Sequence, residues 1–202
     1  MPPVSIVFAC ALSVDAYVDL GRDVEVPRPN CPACARAMGF WGFYRRDVRA
    51  GAIVRLLVRR ARCPSCRTSH ALLPDFAVHG RLDSAEVIGA GIDAMASGAG
   101  ARTAAATLTG VPHTTMRDWR RRATSRAPML IAGFWASCVA LGDLVPRLVV
   151  TGALPVLGAA ITAAVAAARR RLGAEGSRWR IANRIIGGHL ISTNTDPPWA
   201  AG

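Results

Sequence analysis

Two Cys-x-x-Cys motifs enclose residues 31–66, which read CPACARAMGFWGFYRRDVRAGAIVRLLVRRARCPSC. The first motif contributes Cys31 and Cys34, the second contributes Cys63 and Cys66, and 28 residues separate them. In a tetrahedral zinc site each such motif supplies two thiolates from one tight turn, and the internal proline restricts that turn. The pattern therefore predicts a zinc ion bound by all four cysteines.

The segment between the two motifs has the composition of a β-hairpin. Residues 40–44 are rich in aromatic side chains, and residues 53–59 combine branched apolar residues with arginines. Ala50 and Gly51 supply a turn between them. We therefore expect a zinc ribbon, in which one metal ion holds both cysteine motifs at the open end of the hairpin.

Other interpretations of the cysteines remain open at this stage. A thioredoxin-like dithiol needs a single motif in a βαβ setting, and a rubredoxin-like iron site uses the same four ligands as zinc. His70, four residues after Cys66, is an alternative ligand, although such a residue more often packs or contacts solvent. Cys10 and Cys138 have no partner at motif spacing, and we expect them to be buried thiols.

A second motif lies at residues 102–122, which read RTAAATLTGVPHTTMRDWRRR. It predicts a short helix, a turn at Gly110 and a second helix that starts near His113. Gly110 can adopt the left-handed conformation that the turn needs, and the small Ala106 would let the two helices approach closely.

The second helix of this motif has two different faces. Met116 and Trp119 are three residues apart, so both point back toward the first helix. The opposite face is polar and basic, as a recognition helix in a major groove requires. We expect His113, Thr114 and Arg117 to reach base edges. The full set of predicted DNA-contacting residues is Arg102, His113, Thr114, Thr115, Arg117, Arg120, Arg121 and Arg122.

A supporting helix is predicted upstream of this pair. Residues 83–86, Asp-Ser-Ala-Glu, resemble a capping box, and a helix ending at Gly98 would follow. Its apolar face would carry Ala85, Ile88, Ile92 and Met95. Together the three helices form a helix-turn-helix unit; the alternative is an ordinary amphipathic pair with a basic surface.

The charge of the chain is concentrated in two blocks. The 202 residues carry a net charge of +12, and all 25 cations are arginine. Residues 28–67 contain ten arginines and one acid, and residues 102–126 contain six arginines and one acid, with an acidic stretch between them. Two basic blocks that each coincide with a motif favour two contacts on one polyanion, although such arginines can also be simply solvated.

These motifs together resemble the DNA-binding front end of insertion-sequence transposases. More closely, they resemble a bacterial family of uncharacterised zinc-ribbon and helix-turn-helix proteins, whose members end in a tail similar to residues 187–190 and 193–199. The likeness covers residues 10–126 and about 175–200. It implies a metal site at the four cysteines and DNA contact through the helix near His113, while Ala35 stands where these proteins often have glycine.

Catalysis is not expected. A transposase needs three acidic residues that hold two metal ions, and only Asp143, Glu175 and Asp196 follow residue 126. They lie in an alanine-rich segment and a tail, without the alternating strands of a nuclease-like sheet. The sequence therefore indicates a DNA-binding protein that is not an enzyme, either a regulator or a remnant of a transposon.

The C-terminal part allows two interpretations. Residues 129–141 are apolar on all faces, and residues 148–168 contain no charge before the arginines at 169–171. A helix from about Pro155 to Gly173 is too short to span a bilayer. We therefore expect two helices that pack on the three-helix unit or form a homodimer, not a membrane anchor, and we expect Trp199 to dock on an apolar surface.

The sequence thus predicts a mixed α+β protein that binds double-stranded DNA and zinc. Its expected parts are an N-terminal segment with the zinc ribbon (1–80), the helix-turn-helix unit (81–126) and the C-terminal helices with the tail (127–202). Because the N-terminus lacks the pattern of a signal peptide, we expect a cytoplasmic location. The alternative function is a membrane-anchored or protein-binding zinc-ribbon adaptor.

Overall fold

The chain folds into a four-stranded sheet followed by a set of packed helices. The structure, a computed structural model, describes residues 5–108, 110–145 and 149–191. Its strands are β1 (Ser5–Phe8), β2 (Gly39–Ala50), β3 (Ala52–Arg62) and β4 (Ser69–Pro74). Its helices are α1 (Val14–Leu20), α2 (Ala85–Ala96), α3 (Ala101–Ala106), α4 (His113–Ala140), α5 (Ala153–Leu172) and α6 (Arg178–Ile185). The mixed α+β class is confirmed, and the tail with Trp199 lies outside the described residues.

The predicted hairpin forms one side of the sheet, with β2 at the edge. The strand order is β1-β4-β3-β2, and β2 and β3 pair antiparallel along their whole length. Gly51 joins them with a φ of 95°, a conformation that glycine adopts without strain. The sequence analysis did not foresee that β1 pairs parallel with β4 and so extends the hairpin.

Apolar side chains form two clusters. The first lies between the sheet and α1, where Tyr17 meets Phe76 edge to face and Leu56 is fully buried. The second joins the helices around Trp119, Ile161 and other fully buried residues. The division between the clusters follows the chain, because the first ends near Ala77 and the second begins at Val78.

Two local details of the predicted three-helix unit need correction. The N-cap of α2 is Ser84, whose hydroxyl accepts a hydrogen bond from the Val87 backbone, so Asp83 is not the capping residue. On α3 the fully buried alanine is Ala104, whereas Ala106 is exposed. A six-residue helix presents only about two turns, so a shift of two positions moves a side chain to the other face.

Helix α4 is longer than expected, because it includes both the predicted recognition helix and the apolar segment from Met129 to Ala140. It runs for 28 residues and contains Pro128. A proline inside a helix removes one backbone hydrogen bond and usually predicts a break. Here Pro128 lies on the exposed side, and the buried stripe continues through Ala127 and Leu130 on either side of it.

Helix α5 is the part of the described chain that is long and apolar enough to cross a membrane, judged by length and composition only. It begins at Ala153 instead of near Pro155, and its 20 residues span about 30 Å. The prediction that this helix is too short to span a bilayer is therefore wrong. The core helix of a globular protein passes the same test. Leu157, Ile161 and Ala164 are buried in the second cluster, which also contains residues of α2, α4 and α6.

A buried arginine joins the sheet to the helices. Arg49, at the end of β2, donates from Nε to Asp83 Oδ1 at 2.6 Å and from Nη1 to the carbonyl of Gly110. The side chains of Arg49 and Asp83 are 11% and 5% exposed. One guanidinium therefore connects the hairpin, the start of α2 and the turn between α3 and α4.

Replacing this arginine should destabilise the whole protein. Arg49→Ala leaves the carboxylate of Asp83 buried without its partner, which typically costs about 3–5 kcal/mol. The measurement is urea unfolding followed by circular dichroism. Arg55→Ala is the matched control, because it removes an exposed ion pair with Asp47 on the same hairpin and should change stability little. Equal effects of both variants would contradict this role of Arg49.

Helix α2 should tolerate no side chain at Gly89. A Cβ there would lie 2.1 Å from Cγ of Trp179, so we expect Gly89→Ala to cost about 1–3 kcal/mol or more. The control is Gly158→Ala in α5, where a Cβ meets nothing within 4 Å and should stabilise the helix by about 0.5–1 kcal/mol. Thermal melts of both variants test the close contact between α2 and α6.

Candidate functional site

The four cysteines of the two motifs come together at the open end of the hairpin. Their sulfur atoms all lie within 4.8 Å of one another. Cys31 Sγ is 3.5 Å from Cys66 Sγ, and Cys34 Sγ is 3.4 Å from Cys63 Sγ, so each motif faces the other. A tetrahedral ion with metal–sulfur bonds of about 2.3 Å places its sulfurs about 3.8 Å apart. The cluster can therefore hold one metal ion, and its geometry is consistent with zinc.

The two cysteine motifs have the same backbone conformation. In each, the N–H of the first cysteine donates to the carbonyl five residues later, that of Arg36 or Thr68. The residue after the second cysteine is left-handed, with φ of 57° at Ala35 and 60° at Arg67. These are the non-glycine residues with positive φ in the described chain, so both turns carry strain that a bound metal would offset.

The thiols of the cluster differ in acidity. The pKa of Cys66 is lowered to about 6, first because of hydrogen bonding with the Thr68 side chain, whose oxygen is 3.4 Å from the sulfur. A hydrogen bond with the Arg36 backbone favours the Cys34 thiolate, but hydrogen bonding with Cys63 and burial raise the pKa of Cys34 to about 11. Four neighbouring thiolates need a cation, and metal binding supplies that charge.

The remaining cysteines and His70 lie outside the cluster. Cys10 and Cys138 are buried and free, as expected, and burial raises the pKa of both thiols. His70 is fully buried in β4, where it pairs in register with Ala61. The described residues that form the cluster are cysteines alone, so His70 is not a ligand.

The first three turns of α4 separate an apolar face from a basic one. Met116 and Trp119 are buried, which confirms the prediction for that face. Of the predicted DNA-contacting set, the exposed members are Arg102, His113, Thr114, Arg117, Arg120 and Arg121, while Thr115 and Arg122 are half-buried.

Asp118, which the sequence analysis did not single out, pairs with some arginines of the basic face and not with others. Its carboxylate accepts from Arg121 at 2.6 Å and from Arg122 at 2.5 Å, and the hydrogen bond from Arg122 is the first cause of its lowered pKa. The spacing of three and four residues could have revealed these pairs. In the described part of the chain, Arg117 and Arg120 have no such carboxylate partner.

The exposed face of α4 borders a shallow groove. Its volume is about 740 Å³, and α4 residues such as Thr114, Arg117 and Thr124 line it together with Ala101 of α3. The groove contains one acid, Asp118, which the arginines already neutralise. The surface is therefore open and basic, and α3 and α4 both contribute to it.

Comparison with known proteins adds one match. A family model described as "Domain of unknown function (DUF6431)" matches residues 31–124, which begin at the first metal-cluster cysteine and end in α4. No curated protein and no solved structure matches the chain. The family description carries no function, so the likeness to transposases and the bacterial origin remain predictions from the motifs.

Removing one thiolate should remove the metal and unfold the ribbon. Cys34→Ser takes away a ligand, and we expect one metal ion per chain in the wild type and a large loss in the variant, because metal binding and folding of such a small unit are coupled. Elemental analysis and a thermal melt give the readouts. The control is Cys138→Ala, which changes a buried cysteine outside the cluster and should retain the metal. A wild-type protein that is folded but contains no metal would contradict the predicted metal site.

Proposed function

We propose that this protein binds double-stranded DNA through α4, without catalysing a reaction. The observation that carries the proposal is the division of α4. Met116 and Trp119 hold the helix on its neighbours, while His113, Thr114 and Arg117 point outward. A short helix, a turn at Gly110 and a second helix with such an exposed face form the arrangement of helix-turn-helix proteins, whose second helix enters the major groove.

The residues of this face suit different parts of DNA. His113, Thr114 and Arg117 lie in the first turns of α4, the part of a recognition helix that contacts base edges. Arg120 and Arg121 follow on the exposed side, and with Arg102 of α3 they would contact phosphates. The N-cap of α4 is Pro112, which offers no side-chain cap, so the first backbone N–H groups remain available to a phosphate.

Zinc is the metal that this proposal assigns to the cysteine cluster. Four thiolates in a closed tetrahedral set form a structural site, because no position remains open for substrate. Cys31, Cys34, Cys63 and Cys66 would hold the two ends of the hairpin together. Iron analysis in the experiment on Cys34 separates zinc from a rubredoxin-like site, since both use the same ligands.

The absence of catalysis is part of the proposal. The sequence after residue 126 contains only Asp143, Glu175 and Asp196 as acids, and the carboxylate of Asp143 is already paired with Arg170. A regulator or a transposon-derived DNA-binding protein needs only the metal-stabilised fold and the basic face.

A second candidate function is a zinc-ribbon adaptor that binds a protein or a membrane. It is favoured by exposed apolar side chains around the far end of α4, where Val139 is 64%, Leu144 is 91% and Val149 is 96% exposed. Such residues can form an interface. Detergent extraction of the expressed chain tests the membrane version, since a spanning helix would retain the protein in the membrane pellet.

The salt dependence of binding tests DNA contact. If the two basic blocks neutralise about six phosphates, the logarithm of affinity should fall with the logarithm of salt concentration with a slope near −5. Arg121→Ala should weaken binding to all sequences and make the slope shallower by about one. Arg117→Ala should cost about 1–3 kcal/mol on the preferred site and little elsewhere. Anisotropy titrations of selected duplexes at several salt concentrations provide the measurement.

Two further variants separate contact from folding. Arg170→Ala also removes one positive charge, but Arg170 pairs with Asp143, just beyond the C-terminal end of α4 and roughly 40 Å from His113 by the length of the helix, so binding should not change. Trp119→Ala removes core packing, costs about 3–5 kcal/mol and should abolish binding only by unfolding the unit. Wild-type binding by both Arg117→Ala and Arg121→Ala would refute the proposal and favour the adaptor.

A further inference from the structure

Arginines stack on aromatic rings of the hairpin beside the metal cluster. Arg59 Cζ lies 4.6 Å from the ring centroids of both Phe40 and Phe43, and Arg62 Cζ lies 4.6 Å from that of Trp41. Two further arginines stack from the preceding segment of the chain. We call this the aromatic–arginine surface, and it consists of Phe40, Trp41, Phe43, Arg22, Arg28, Arg59 and Arg62.

A β-bulge exposes the largest of these rings. The pairing of β2 with β3 shifts between Phe40 and Gly42, which leaves Trp41 without a partner in the ladder. Bulges of this kind redirect a side chain. Trp41 is consequently 61% exposed, and Phe40 is 37% exposed.

The fold itself does not account for these rings. None of Phe40, Trp41 and Phe43 belongs to either apolar cluster of the described chain, whereas Val48 and Leu56 of the same hairpin do. Phe40 and Trp41 are exposed and Phe43 is half-buried, and the groups that stack on the three rings are arginines instead of apolar side chains. Exposed clusters of large apolar side chains typically mark interaction sites. The surface therefore has the character of an interaction site.

The aromatic–arginine surface includes a shallow pocket next to Trp41. Its volume is about 380 Å³, and its lining includes the backbone of Gly39, the Trp41 ring, Arg62 and Arg67. It adjoins the Cys63–Cys66 motif, so the metal cluster would set its shape. A flat ring could stack on Trp41 there, within reach of the arginine side chains.

The chemistry of the surface points to bases and phosphates together. Aromatic rings stack on nucleobases, and guanidinium groups both stack and neutralise phosphates. A duplex hides the faces of its bases, so only unpaired nucleotides can use the rings. An acidic protein would satisfy the arginines but would leave the stacking faces unused.

We infer that the aromatic–arginine surface binds a short stretch of single-stranded DNA, with Trp41 as the stacking platform. The choice of DNA rests on the proposed function, because α4 would bind the adjoining duplex. Arg62 and Arg67, which line the shallow pocket together with Trp41, would contact the phosphates next to the stacked base. A substrate with a duplex next to an unpaired segment would then engage both surfaces.

Binding of a twelve-residue oligothymidylate tests the inference. Fluorescence anisotropy should show that Trp41→Ala weakens its binding about 5- to 150-fold, the range measured for loss of one stacking ring. Trp41→Phe should restore most of the affinity because it keeps an aromatic face. The control is Ile53→Ala, which removes an equally exposed apolar side chain at the other end of the hairpin and should have no effect. Metal content and a melt verify that each variant is folded.

Crosslinking gives a readout that needs no variant. Ultraviolet irradiation of the wild-type protein with the same oligonucleotide should label the tryptic peptide 37–45, which contains Phe40, Trp41 and Phe43. Labelling elsewhere, or unchanged binding by Trp41→Ala, would overturn the inference. Tighter binding of a twelve-residue oligouridylate would overturn the choice of DNA.

The two proposals fail in different ways. Arg117→Ala should weaken binding of a blunt duplex that contains the preferred site and leave oligothymidylate binding unchanged, whereas Trp41→Ala should do the reverse. If neither variant loses duplex binding, the role of α4 is refuted and the role of the aromatic–arginine surface is not. If neither variant loses oligothymidylate binding, the role of the aromatic–arginine surface is refuted and that of α4 is not.

Discussion

The side chain of Arg49 is the constraint on which the relation between the sheet and the helices depends. Its guanidinium binds Asp83 and the carbonyl of Gly110, and its own backbone pairs with Leu82 and Ser84. The desolvation of two buried charges offsets much of their Coulombic attraction. The pair therefore adds less to the stability of the fold than to the specificity of the arrangement between sheet and helices. Any other register of the hairpin against α2 would bury these charges without partners.

Other arginines continue this internal linkage. Arg46 donates to the carbonyls of Val78 and Arg81, and Arg180 donates to the carbonyls of Cys10 and Leu12. The net charge of +12 therefore overstates the charge available to a partner in the described part of the chain. The arginines that remain exposed include Arg117, Arg120 and Arg121 on α4 and Arg22 and Arg28 on the aromatic–arginine surface.

The two surfaces lie toward opposite ends of the hairpin. Phe43 pairs with Arg59 on the aromatic–arginine surface, whereas Arg49, which contacts the turn before α4, pairs with Ile53. The stretch of β3 from Ile53 to Arg59 spans roughly 20 Å. In the proposed function the metal would stiffen one end of the hairpin, while the buried ion pair would fix α4 at the other.

The sequence by itself determined the features that depend on local spacing. The two cysteine motifs, the glycine at position 51 and the opposite faces of α4 at Met116 and Arg117 follow from ligand chemistry, turn geometry and helical periodicity. Only the tertiary structure decided that Asp83 binds Arg49 and leaves the cap to Ser84, that Trp41 bulges out of its strand, and that α4 continues past a proline. Those outcomes depend on register and packing between segments that are distant in sequence. The free-energy difference between the alternative arrangements of a segment depends on the residues that pack against it, and no local sequence pattern contains them.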